Sequence, residues 1–196
     1  MRVLYFVVCF SVLLAACSSG PKPILNEYLL SEKYGSAIPD PKSDIESVRI
    51  CAVDVADYLT GGNMVMAEED GRIIRAERHL WAESLSDQLG RVTRAQLASM
   101  LPDIEWYVDF APEKNDAASL MIRVDAFNVT ASGHAEIRGY WRLFSSGRGL
   151  LAGDEFNKSI PLPDSGYSAM VKVLNDGWSG IVDKIAKKTA AAATKG

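Results

Sequence analysis

Apolar residues recur at every second position in three successive stretches of the C-terminal half of the chain. The first stretch runs from Leu120 to Ala126, the second from Ala135 to Leu143, and the third from about Leu150 to Ile160. A period of two sends alternate side chains to opposite faces of a β-strand. The segment Gly147-Arg148-Gly149 has the composition of a tight turn. The pattern therefore predicts three strands, the last two of which form a hairpin.

Two other stretches have a helical period. The first runs from about His79 to Leu101, and Pro102 ends it because proline cannot continue a helix. The second runs from Ser165 to about Ala190, and its Gly177 and Gly180 indicate either a kink or a close packing contact. On the first helix one stripe consists of Leu85, Leu89, Val92, Gln96, Leu97, Met100 and Leu101, and one face of the second helix has Met170, Val171, Leu174, Trp178, Ile181, Val182 and Ile185.

Shorter strands are predicted in the N-terminal half. They cover Ile24 to Leu30, Ser47 to Tyr58, Met64 to Met66, Arg72 to Ala76 and Glu105 to Phe110, with an irregular loop from Ser31 to Asp44. The acidic tip that ends in Asp70-Gly71 favours a hairpin turn. Two helices and six or more strands predict an α+β fold, with a mostly antiparallel or mixed sheet and both helices packed on one face.

The N-terminus has the pattern of a lipoprotein signal. A cationic start at Arg2 and an apolar run from Val3 to Ala16 lead to Leu14-Ala15-Ala16-Cys17, which resembles a bacterial lipobox. We expect residues 1–16 to be removed and Cys17 to be acylated; an ordinary secretory signal with a chance cysteine is the alternative. Ser18 stands where an aspartate would indicate retention in the inner membrane, so the pattern predicts the periplasmic face of the outer membrane.

This processing defines the expected domain organisation. Residues 17–23 would be the lipidated cysteine and a short linker, residues 24–190 one α+β domain, and residues 191–196 a tail. The chain has three cysteines; Cys9 would leave with the signal, so Cys51 alone would belong to the folded domain. It is interpreted as a small strand residue, with an exposed redox-active thiol as the alternative.

Composition and motifs argue against several classes of function. The chain has 25 Asp and Glu against 21 Lys and Arg, with no basic stripe for a nucleic acid. His79 and His134 lie in different elements without the spacing of a zinc site. The segment Gly177 to Ile181 comes near a nucleophile elbow but lacks its final glycine. We therefore predict no catalytic residues, no metal and no cofactor, although carboxylates distant in sequence could still converge.

A candidate binding surface lies around the first hairpin. Tyr58, Leu59, Met64, Val65 and Met66 would form an apolar rim for a partner or for lipid, because methionine side chains adapt to irregular surfaces. The alternative is that these residues pack under the first helix. Tyr58, Leu59, Met64 and Met66 are the residues predicted to bind a partner.

Three segments resemble the ABC-type transport auxiliary lipoproteins. They are Tyr28-Leu29-Leu30, the stretch from Ala52 to Leu59, and the stretch from Arg78 to Leu85, whose Trp-Ala-Glu-Ser-Leu is similar to the signature that opens the first helix of that family. The chain departs from the family pattern at Thr60 to Asn63 and at Ser84, where proline is common.

The resemblance implies a non-catalytic outer-membrane lipoprotein. Its partner would be an MCE-domain protein that is held in the inner membrane and spans the periplasm, and together they would move phospholipid between the two membranes. A homo-oligomer is implied only by analogy with the rings that MCE proteins form. A different class remains open, namely a structural or assembly-assisting envelope lipoprotein that does not contact lipid.

Overall fold

The computed structural model describes residues 24–39, 44–108, 117–145 and 147–193. Cys17, the signal segment and the linker lie outside these ranges, as do residues 109 and 110 of one predicted strand. Within them the strands are β1 (Asn26–Tyr28), β2 (Ser47–Ile50), β3 (Asp54–Val55), β4 (Asn63–Ala67), β5 (Ile73–Trp81), β6 (Glu105–Val108), β7 (Ala118–Thr130), β8 (His134–Ser145) and β9 (Gly149–Pro161). The helices are α1 (Leu85–Met100) and α2 (Tyr167–Ala193), with a short 3₁₀ turn at Asp57–Leu59.

Strand β7 is the axis of a single mixed sheet. One of its edges pairs antiparallel with β8, which pairs antiparallel with β9. The other edge pairs in parallel with β2, β3 and β4. Strand β6 lies beyond β2, and β5 and then β1 lie beyond β4. The α+β prediction with a mixed sheet is confirmed, and the longest pairings are the antiparallel ones between β7, β8 and β9.

The core lies between one face of this sheet and the two helices. In β8 the alternation is clear, since Ile137 and Trp141 are buried while Tyr140 is exposed on the other face. Helix α2 packs across β8 and β9. Trp178 Nε1 donates to Thr93 Oγ1 over 3.0 Å and joins the helices inside the core.

Helix α1 begins at Leu85, so the prediction of a helix from His79 was wrong at its start. Strand β5 continues to Trp81 because residues 79 to 81 pair in parallel with β1, from Asn26 with His79 to Tyr28 with Trp81. Ser84 then caps the helix, and its side chain accepts a hydrogen bond from the Asp87 backbone over 3.1 Å. Ser84 is therefore the N-cap of α1.

The single strand predicted over residues 47–58 is interrupted. Strand β2 ends at Ile50, β3 covers only Asp54–Val55, and the 3₁₀ turn follows. The backbone nevertheless stays beside β7, since Cys51 N donates to Leu120 O over 3.0 Å and Ala56 N to Val124 O over 2.9 Å. The interruption at residues 51–53 leaves a recess next to α1.

Gly177 marks a close packing contact. A Cβ at Gly177 would lie 2.6 Å from Ile137 Cδ1 and 2.9 Å from Ile160 Cδ1. The missing side chain lets α2 lie directly on β8 and β9, which decides between the two explanations that the sequence left open for this glycine.

Candidate partner-binding site

Tyr58 is the most polar member of the predicted binding set. It lies in the 3₁₀ turn, and its hydroxyl lies 2.9 Å from Asn128 Oδ1 and 3.1 Å from the Asp125 carbonyl oxygen. Arg75 Nη1 donates to the Tyr58 carbonyl over 2.6 Å. Burial raises the pKa of the Tyr58 hydroxyl. Tyr58 is therefore a neutral, half-buried side chain that ties the turn to β7.

The remaining members of the set differ sharply in exposure. Leu59 and Met64 are 2% and 1% exposed, and Val65 is 3% exposed, so these three side chains belong to the core. Met66 is 37% exposed. For Leu59 and Met64 the burial agrees with the alternative that they pack inside the domain, and Met66 is left as the apolar member that a partner can reach directly.

Met64 and Met66 border a small apolar cavity, the hairpin cavity. It has a volume of about 180 Å³ and lies where the β4–β5 hairpin meets the start of α2. Ile74, Tyr167 and Met170 also line its wall. A cavity of this size and lining suits one apolar side chain or the end of one acyl chain.

An aromatic stack supports one side of the hairpin cavity. The ring of Tyr167 lies on that of His79 with centroids 3.7 Å apart and planes 12° from parallel. Tyr28 Oη and His79 Nδ1 are 2.9 Å apart. The stack connects β1, β5 and α2, which gives His79 a structural position. Sequence reasoning missed Tyr167, because nothing in the helical pattern distinguishes it from a first-turn surface residue.

Tyr58 borders a different recess from that of the methionines. This recess has a volume of about 430 Å³ and an acidic rim that includes Glu68, Glu69 and Glu136, with Arg138 as a cation. Met64 and Met66 line the hairpin cavity on the helix side of the sheet, whereas Tyr58 lines the recess with the acidic rim. The predicted residues thus do not form one continuous rim.

A third recess, the α1 groove, was not expected from the sequence. It has a volume of about 500 Å³ and lies between residues 50–53 and the first three turns of α1. Cys51, which is half-buried, is in its wall together with Gly90, Arg91 and Arg94. The only sequence signal was Gly90 in the middle of a helix, and a helical glycine predicts a recess only when the residues that face it are known.

The described residues contain neither a metal-binding cluster nor a membrane-spanning helix. Across residues 24–39, 44–108, 117–145 and 147–193, His, Cys, Asp and Glu side chains nowhere gather in groups of three that could hold a metal ion. Within the same ranges neither helix is long and apolar enough to cross a membrane.

The fold itself recurs in solved structures. A crystal structure of an uncharacterized protein superimposes with a TM-score of 0.70 at 29% identity, covering 84% of this chain and 98% of the other. A crystal structure of a protein from Xanthomonas campestris gives a TM-score of 0.72 at 13% identity, covering 85% and 95%. At that lower identity the second likeness shows the fold alone.

The sequence comparison then identifies the family. The profile of the ABC-type transport auxiliary lipoprotein components matches residues 28–186, and the chain belongs to that family. The chain is also 29% identical to the Intermembrane transport lipoprotein PqiC of Escherichia coli strain K12 over 184 residues, which is 94% of this chain and 96% of that protein. The PqiC of Shigella flexneri matches to the same extent.

Proposed function

We propose that this chain is an outer-membrane lipoprotein that acts, without catalysis, as the auxiliary component of an MCE-type system moving phospholipid between the two membranes. The observation that carries the proposal is the similarity to an intermembrane transport lipoprotein over 94% of the chain. The family match over residues 28–186 covers every described element from the end of β1 to most of α2. The role is therefore assigned to the whole domain.

Cys17 would hold the domain at the membrane. Acyl chains stabilise membrane binding by about 0.8 kcal/mol per buried CH₂, and stable anchoring needs more than one chain or signal. Six residues separate Cys17 from Ile24, and an extended chain spans about 3.3 Å per residue, or roughly 20 Å. The domain would consequently work close to the outer membrane and meet an MCE-domain protein that reaches it from the inner membrane.

Met66 and the hairpin cavity are the proposed contact for that partner. Met66 is 37% exposed beside a cavity lined by Ile74, Tyr167 and Met170, so an apolar side chain of the partner can enter between them. Tyr58 would contribute a polar edge on the other side of the hairpin. Leu59 and Met64 would support this contact from the core without touching the partner.

The test is a pull-down of the tagged full-length chain from the envelope of the native bacterium, with Cys17→Ser as a parallel sample. Recovery of an MCE-domain protein or its transporter subunits supports the proposal, and mass spectrometry identifies them. Reproducible recovery of peptidoglycan factors or outer-membrane assembly components instead would favour the structural alternative. Fractionation should find the wild-type chain in the outer membrane and Cys17→Ser in the soluble periplasm; an unchanged distribution would contradict the anchor.

The contact surface is tested by two single substitutions. Met66→Ser should weaken recovery of the partner while the melting temperature stays near the wild-type value, because this side chain is partly exposed. Met64→Ser should lower the melting temperature, because Met64 is 1% exposed and replacing a buried methionine by a smaller residue costs about 2–5 kcal/mol. Full partner recovery by Met66→Ser would rule out this surface without touching the role of the protein.

A further inference from the structure

The α1 groove has the dimensions of a ligand site. Its volume of about 500 Å³ lies within the range of roughly 300–1,000 Å³ that small-molecule sites occupy. One wall is the interrupted strand at Ile50–Val53 together with Val108, and the other is the first half of α1. Most of the exposed wall is apolar, which suits a hydrocarbon chain.

Gly90 is responsible for part of the open space. It lies in the middle of α1, where glycine is less favourable than any residue except proline. Apart from the backbone of α1 itself and the two residues next to Gly90, no atom of the described chain lies within 4 Å of the position that a Cβ at Gly90 would take. Packing within those residues therefore gives no reason for a glycine, and its effect is to widen the groove.

The charges along this side of α1 are separated into two ends. Glu83 and Asp87 lie at the start of the groove, and Arg91 and Arg94 lie further along it. A rise of 1.5 Å per residue puts about 10 Å between the backbone positions of Asp87 and Arg94. Because Glu83 forms an ion pair with Arg91, the charges that remain are the Asp87 carboxylate at the start of the groove and the Arg94 guanidinium further along it.

The two arginines differ in their partners. Arg91 Nη1 lies 3.4 Å from Glu32 Oε1, and Arg91 Nη2 lies 3.7 Å from Glu83 Oε2. Arg94 forms no ion pair within 4.0 Å with a described carboxylate, and its charge acts on Glu32 only at longer range. Its guanidinium is therefore the cation best placed to receive the anionic group of a ligand, since planar guanidinium groups bind phosphate oxygens in pairs.

We propose that the α1 groove binds a glycerophospholipid with a zwitterionic headgroup. One acyl chain lies along Ile50–Val53 and Val108 in the space beside Gly90, the phosphate binds Arg94, and the ammonium group lies toward Asp87. This inference rests on the proposed function, to which it adds a ligand class and a site. A zwitterion fits better than a simple anion because carboxylates and guanidinium groups line the same groove.

The reactivity of Cys51 can be used to measure whether the groove is occupied. The mature chain from residue 17 with Cys17→Ser has one thiol left, that of Cys51, since the sequence has three cysteines and Cys9 lies in the signal. Every described element begins after residue 23, so this form keeps all the described elements. The probe is palmitoyl lysophosphatidylethanolamine below its micelle concentration, and the readout is the rate at which a maleimide modifies Cys51.

Saturating probe should slow the modification of Cys51 at least tenfold. Gly90→Leu should fill the groove and weaken probe binding at least tenfold, as measured by calorimetry. Gly147→Leu is the matched control, because a Cβ at Gly147 also meets no described atom within 4 Å but lies in the β8–β9 turn; it should bind like wild type. Unchanged binding by Gly90→Leu, or the absence of protection at Cys51, would overturn the site.

The headgroup assignment has its own test. Arg94→Gln should weaken binding of palmitoyl lysophosphatidylethanolamine about tenfold and leave binding of the uncharged monopalmitoylglycerol unchanged. An equal loss for both probes would overturn the contact between phosphate and Arg94. If the groove binds no lipid while the wild-type chain still recovers an MCE-domain protein, the ligand site is wrong and the proposed function stands. If the groove binds lipid but the chain recovers no MCE-domain protein, the ligand site stands and the proposed function is wrong.

Discussion

Both long helices have glycine in their interior, and Gly177 in α2 and Gly90 in α1 have opposite surroundings. At Gly177 in α2 a Cβ would meet two isoleucine side chains of the sheet at 2.6 and 2.9 Å. At Gly90 in α1 a Cβ would meet no described atom within 4 Å. One glycine closes the distance between a helix and the sheet, and the other leaves a groove open.

The difference separates two parts of one domain. Beneath α2 the core is filled by large side chains, with Trp178 edge-to-face against Phe127 and Phe156 at centroid distances of 6.2 and 5.8 Å. Beside α1 the strand is interrupted at residues 51–53 and the wall recedes. The first part is filled by side chains, and the second has room for a ligand.

Removing the largest buried side chain of α2 should give the largest loss of stability. Trp178→Ala should lower the free energy of unfolding by about 3–5 kcal/mol, because Trp178 is 1% exposed and truncating a buried aromatic leaves a cavity. Chemical denaturation measures the loss. Trp178→Phe keeps a ring but loses the hydrogen bond to Thr93, so it should lose clearly less. Equal losses would mean that this core is not filled as described.

Adding a side chain at the closed contact should also destabilise the protein. Gly177→Val should cost about 1–3 kcal/mol, since Ile137 and Ile160 would have to move out of a packed core. Thermal unfolding checks this, with Gly147→Val in the open β8–β9 turn as the control. A Gly177→Val protein as stable as wild type would remove the contrast between the two helices.

At the open position a small substitution should act in the other direction. Gly90→Ala should stabilise the protein by up to about 1 kcal/mol, because alanine favours a helix over glycine and nothing described obstructs its Cβ. Gly177→Ala brings the same propensity with a clash, so it should bring no gain. Paired denaturant titrations of the two variants measure this difference directly. A lower free energy of unfolding for Gly90→Ala than for the wild type would contradict the open space beside Gly90.

The smallest effect concerns the exposed side of α2. Hydrogen bonds from Lys172 and Lys33, at 2.7 and 2.6 Å, lower the pKa of the Asp176 carboxyl below its ordinary value of 3.8. A lowered pKa stabilises the fold above the unfolded pKa, and the contribution disappears as the pH falls through the folded pKa. Asp176→Asn should therefore cost a few tenths of a kcal/mol at pH 7 and nothing near pH 2. A difference that persists unchanged at low pH would contradict this origin.

Local patterns predicted the parts of the fold that local interactions determine. The alternation in β7, β8 and β9, the apolar stripes of both helices and the β4–β5 turn, where Gly71 has φ +85°, were all visible in the sequence. The start of α1 was not. His79 to Trp81 belong to a strand because β1 pairs with them from more than fifty residues away, and no local period reports such a partner.

The candidate sites depended even more on tertiary structure. Met64 and Met66 are only two residues apart in one strand, yet one is in the core and the other is 37% exposed. Tyr58 and the methionines were predicted to share a rim, but they border different recesses. The α1 groove arises where an interrupted strand faces a helical glycine, and neither feature alone predicts a recess.

The central position of β7 also has a consequence for biosynthesis. Strands β2, β3 and β4 all leave the ribosome before the strand that pairs with them, and Val48 precedes its partner Ala118 by seventy residues. At about 5–20 residues per second, that interval lasts several seconds. During this time β2 and β3 lack the strand β7 with which they pair, whereas β4 and β5, and later β7, β8 and β9, can pair as soon as they are made. The stretch that contains β2 and β3 therefore waits longest for its partner strand.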